Sequence, residues 1–237
     1  MEYEEILKLS TKFEEIIKSA LEQKYRGDKY LDEKDPFKQY DPLFSFNLVE
    51  FCDLYKKSQK YPDELLERAI LYLFDIKLEL YFLYEVDMGA YNTRVIDVGY
   101  DFSNPLNTPH LLMTKYSTDQ TVIVKSRILW ERLMNFVYYL ETGEELEDKV
   151  SRKKSKSRVF FEYIEDKDKL KFLYKHKSTL ESFENSFRTP EVHKNSIFRA
   201  ELLGNRKIDI WEQNQMLNLV RIVGFELWDS IKSMLNN

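Results

Sequence analysis

Apolar positions recur at three- and four-residue spacing along most of the chain, the period of helices that bury one face. Residues 2–25 carry Ile6, Leu9, Phe13, Ile16, Ile17, Ala20 and Leu21 on one such face. This predicts a first helix, ended by Gly27 and the polar run to Lys38. Asp41-Pro42 pairs a capping residue with a proline at the first helical position. A second helix is expected from there through Lys57, with Phe44, Leu48, Phe51, Cys52 and Tyr55 turned inward. Tyr61-Pro62-Asp63 opens a third, running to about Val86. Between Leu65 and Tyr84 it is apolar nearly all round, as an enclosed central helix would be.

The pattern breaks between residues 87 and 117. Gly89, Gly99, Asn104-Pro105, Asn107 and Thr108-Pro109 punctuate the stretch, and Val95-Ile96-Asp97-Val98 reads as a short extended piece. The expectation is one long irregular loop, with His110 on it. Thr118 or Asp119 then caps a fourth helix to about Glu141. Val122, Leu129, Leu133, Phe136, Val137 and Leu140 face its core, Lys125, Arg127 and Arg132 lie on other faces, and Thr142-Gly143 ends it. The stripe Leu173, His176, Leu180, Phe183 and Phe187 predicts a helix from about Lys167 to Ser186. At a stripe position, His176 reads as a histidine at the edge of the core. Thr189-Pro190 opens another helix through Ile197, Phe198, Ala200 and Leu203 to the stop at Gly204-Asn205. A last helix, about 209–235, buries Met216, Val220, Val223, Leu227, Ile231 and Leu235. The predicted fold is all-α, an up-and-down bundle of about seven helices forming a single domain over 1–237. Residues 1–40 are a candidate helical extension on a shared core of about 40–235.

Composition agrees with long helices. There are only six Gly and six Pro in 237 residues, while 16 Phe, 16 Tyr and three Trp supply bulky core material. The lone Cys52 excludes an intrachain disulfide and a cysteine metal cage. Charges interrupt every apolar run before it could span a bilayer, and the acidic, amphipathic N-terminus is unlike a signal peptide. A cytoplasmic protein without a membrane segment is expected. The chain has no glycine-rich phosphate loop, no H-E-x-x-H, no E-x-x-H and no carboxylate-rich calcium loop, so neither metal nor cofactor is expected.

Net charge is −5, unevenly spread: 15 basic against 23 acidic residues over 1–120, and 21 against 18 beyond. The second half is thus the one more hospitable to a polyanion. It holds Lys149-Val-Ser-Arg-Lys-Lys-Ser-Lys-Ser-Arg158, six basic residues in ten with no acid. Arg152, Lys153, Lys154, Lys156 and Arg158 are either solvated surface or a strip that grips nucleic-acid phosphates. Without interleaved aromatics, such a strip would not read bases. Further on stands Ser186-Phe-Arg-Thr-Pro-Glu-Val-His-Lys194. Thr189 caps, Pro190 takes the first helical position, and Glu191 suits the positive end of the dipole. Arg188 falls just outside the helix mouth and His193 one turn inside. A fixed guanidinium, a titratable imidazole and open helix amides suit a phosphate with a proton transfer beside it. In the alternative reading, Arg188 is structural and pairs with Glu184 or Glu191.

Arg-x4-His between two helices, late in an all-helical chain, resembles the HEPN superfamily, whose motif is R-x(4–6)-H. Phe187-Arg-Thr-Pro-Glu-Val-His-Lys194 and Phe198-Arg199 look like the HEPN-like domains of clostridial and related bacterial proteins. The resemblance implies a metal-independent endoribonuclease acting on RNA, and a homodimer whose two motifs face each other. Arg188 would hold the scissile phosphate. His193 would take the 2′-hydroxyl proton or deliver one to the leaving oxygen. Many active members carry Asn, Asp or His straight after the arginine, where this chain has Thr189. Other members only bind RNA or a partner protein, which is the second functional reading.

Overall fold

The computed structural model describes residues 2–25, 47–97, 107–152, 154–183, 185, 228–233 and 235–236. Within them lie seven α-helices: α1 (Tyr3–Tyr25), α2 (Leu48–Ser58), α3 (Leu66–Asp97), α4 (Asn107–Thr142), α5 (Lys156–Ile164), α6 (Lys171–Tyr174) and α7 (Lys177–Phe183). Residues 228–233 are also helical, and no strand occurs among the described residues. The fold is an all-α helical bundle.

Its spine is the hairpin of α3 and α4, about 48 and 54 Å long at the helical rise of 1.5 Å per residue. Contacts descend along one helix as they ascend the other: Tyr72 packs on Tyr139, Arg132 pairs with Asp75 and Glu79, and Lys125 pairs with Glu79 and lies over the Phe82 ring. The two helices are therefore antiparallel. Off the core-facing stripe, Lys125 and Arg132 reach across this seam, because α3 offers Asp75 and Glu79 one turn apart on the facing side. Both helices bury a dense face: Leu66, Ala69, Ile70, Leu73, Ile76 and Leu80 on α3, and Trp130, Leu133, Met134 and Phe136–Leu140 on α4. Leu71 and Phe82 of α3 and Val124 of α4 are exposed.

Most of the expected loop is helix. Residues 87–97 complete α3 and 107–117 begin α4, leaving only 98–106, outside the described residues, between them. Pro109 is the third residue of α4, where a missing N–H breaks no intrahelical bond. Gly89 costs a helix interior only about 1 kcal/mol, which the rest of a 32-residue helix absorbs. His110 consequently belongs to the first turn of α4.

The end of α4 is where the sequence places it. Gly143 takes the left-handed conformation (φ +72°) and its N–H reaches the Tyr139 carbonyl at 2.7 Å. An added Cβ would meet the Leu65 side chain only at ordinary contact distance, so any cost of Gly143→Ala is conformational. A loss of about 1 kcal/mol is expected in chemical denaturation. No loss would mean that this turn tolerates other backbone geometries.

Around the hairpin, α1 lies across α2 and α3, with Phe13 and Phe74 rings 3.8 Å apart. Its buried stripe is Ile6, Ser10, Phe13 and Ile17; Leu9 and Ile16 are each 54% exposed. The helix is rolled about one position from the face that hydrophobicity alone selects. That roll seats the Ser10 hydroxyl 3.8 Å from the Cys52 sulfur. Helix α2 starts at Leu48, later than a cap at Asp41 followed by Pro42 would place it, for Asn47 is extended and caps it. The Asn47 Oδ1 accepts from the N–H groups of Val49 (2.9 Å) and Glu50 (3.0 Å). Leu48, Phe51, Cys52 and Tyr55 turn inward as expected. Trp228, Ile231 and Leu235 join the same core, and Lys232 pairs with Glu50 of α2 at 2.9 Å.

Helix α5 begins inside the basic run and continues past it, a helix the charge pattern concealed. Ser155 caps it, and Phe160, Phe161 and Ile164 are buried. It runs in the same direction as α4, Lys156 lying near Glu131 and Tyr163 packing on Tyr138. The single helix expected over Lys167–Ser186 is divided. A 3-10 turn (Asp168–Leu170), α6 and α7 succeed one another, with turns at Lys175 and His176.

Candidate functional site

Of the residues singled out by sequence, Arg188 and His193 lie outside the described residues, together with Thr189, Pro190, Glu191 and Lys153. Arg152, Lys154, Lys156 and Arg158 are described.

Their surroundings come from the local chain path. After Gly143 the backbone makes a 3-10 turn (Leu146–Lys149). It then doubles back through a bridge in which Ser151 and Lys154 exchange N–H···O bonds of 3.2 Å. The Ser155 hydroxyl next accepts from the Arg158 N–H at 3.3 Å, starting α5. One turn past Arg158 stands Glu162, and two cations meet on it: Lys154 at 2.6 Å and Arg158 at 2.8 Å. Lys156 turns inward instead, 2.6 Å from Glu147 and 3.8 Å from Glu131, and Lys149 pairs with Glu144 at 2.7 Å. Arg152 is exposed at the turn. The run free of acids in sequence is therefore interleaved with acids in space.

The pairings of Glu162, Glu147 and Lys149 leave an electrostatic mark. Hydrogen bonds from Lys154 and then Arg158 hold the Glu162 carboxyl below the usual carboxylate range. Lys156 does the same to Glu147, and Glu144 raises the Lys149 ammonium. The Lys149–Glu144, Lys154–Glu162 and Arg158–Glu162 pairs are at the surface, where solvent and salt screen them, so exchange of those carboxylates for a phosphate costs little.

Known proteins supply no identity. No family model matches the chain, and no curated protein or solved structure is significantly similar to it.

Two other chemistry-bearing side chains, Cys52 and His176, sit in or at the edge of the core. Burial pushes the Cys52 thiol up to about 11, which removes it as a nucleophile at neutral pH. His176 is half-buried at the core edge, its ring 6.4 Å from that of Trp130, between the buried Leu173 and Leu180. Among the described residues, no three His, Cys, Asp or Glu stand close enough to hold a metal ion. Nor is any helix there long and apolar enough to cross a membrane.

Sequence reasoning missed one polar junction. Lys77, in the middle of α3, is 1% exposed and ion-paired with Glu14 of α1. The other oxygen of Glu14 accepts the Leu48 N–H at 2.9 Å, the first amide of α2. A lysine inside the apolar stretch Leu65–Tyr84 was the available signal, since a charge there requires a buried partner.

Proposed function

We propose that the chain is a HEPN-like protein that cleaves RNA without a metal ion, through Arg188 and His193. The observation that carries this reading is the spacing Arg188-Thr-Pro-Glu-Val-His193 in a chain whose described residues form an all-α bundle. Arg188 holds the scissile phosphate by a bidentate, charge-assisted contact and offsets the charge added in the transition state. His193 takes the proton from the attacking 2′-hydroxyl or delivers one to the departing 5′ oxygen. The products are a 2′,3′-cyclic phosphate and a 5′-hydroxyl. The working form is a cytoplasmic homodimer that brings two copies of the motif into one cleft. The reading is tested by incubating purified protein with mixed RNA in excess chelator: fragments with cyclic phosphate ends support it, and intact RNA contradicts it.

A second reading, a non-catalytic helical module that binds RNA or a partner protein, is favoured by two observations. Thr189 stands where many active members of the resembled family carry Asn, Asp or His. Four cations of the basic segment, Lys149, Lys154, Lys156 and Arg158, are also already matched to Glu144, Glu162 and Glu147. The two readings share one expectation about RNA. Glu162→Gln releases Lys154 and Arg158 together, and should tighten RNA binding while steepening its salt dependence by about 0.7 for each further phosphate engaged on a single strand. Acid should act in the same direction. With its pKa depressed, Glu162 keeps both pairs at neutral pH and loses them as pH falls through that lowered value, so RNA binding by the wild type should strengthen there. Unchanged binding and salt slope in the variant would remove this segment from the RNA interface.

A further inference from the structure

We draw no further inference here: the strongest candidate, the apolar groove between α1 and α3 formed by Ile6, Leu9, Leu48, Ile70, Leu71 and Phe74, is an exposed helix face, and nothing in the structure shows what covers it.

Discussion

Glu14→Ala should destabilise the protein by about 3–5 kcal/mol, the range for deleting one partner of a buried ion pair. In a chain of this length that lowers Tm by roughly 10 °C. Two losses combine. The Lys77 ammonium, 1% exposed, loses the Glu14 carboxylate, and the first amide of α2 loses the Glu14 oxygen it donates to. One side chain thus joins α1, α2 and α3, and its removal should loosen α1 first.

The same junction has a pH signature. Burial lowers the Lys77 pKa from the ordinary 10.5, and Glu14 only partly opposes this. Between the lowered value and 10.5 the unfolded chain binds more protons than the folded one, so this group makes stability rise with pH in that window. Lys77→Met should abolish the contribution. Combining Glu14→Leu with Lys77→Met should restore most of the stability lost in Glu14→Ala, because an apolar pair needs no charge compensation. A Glu14→Ala protein within about 0.5 kcal/mol of wild type, the range of ordinary surface substitutions, would show that the junction holds nothing together.

Arg188→Ala carries the second large effect. Removing a preorganised donor to a developing anionic charge typically costs about 10²–10³ in rate. RNA cleavage should fall by that factor while Tm stays within a degree or two of wild type. The stability readout separates function from structure: an arginine paired with Glu184 or Glu191 to hold a helix junction would lower Tm when removed. A large fall in Tm with unchanged cleavage per folded molecule would place Arg188 in the scaffold. Arg188→Lys sharpens the test, since lysine keeps the charge but not the two-pronged geometry, and only a bidentate phosphate contact should suffer from it.

Helical periodicity made the scaffold legible wherever a single buried face dominates. The inward residues of α2, the core positions of α4 from Leu129 to Leu140, and the glycine stop at Gly143 all derive from spacing and turn chemistry. It failed where local punctuation outweighed the length of the helix. Gly89 and Thr108-Pro109 read as loop, yet a glycine inside a long helix and a proline in its first turn are both tolerated. It failed again where charge hid a helix: Phe160, Phe161 and Ile164 carry the spacing of α5, but six basic residues just before them point to surface chemistry. Pairing across elements was the hardest to read. Arg158 and Glu162 stand one turn apart on α5, but nothing local says that Lys154 joins them, or that the Lys77 partner lies 63 positions earlier in α1. The motif at Arg188 and His193 is legible only as sequence, and the helix start expected at Thr189-Pro190 falls outside the described residues.

The proposed activity is tested most directly by one comparison: the rate of RNA cleavage by wild type and by His193→Ala, purified alike, in excess chelator at neutral pH. Loss of the proton-transferring imidazole should slow cleavage by about 10²–10⁴ with folding intact by circular dichroism. Equal rates for the two proteins would contradict the account, whatever nuclease activity the preparation contains.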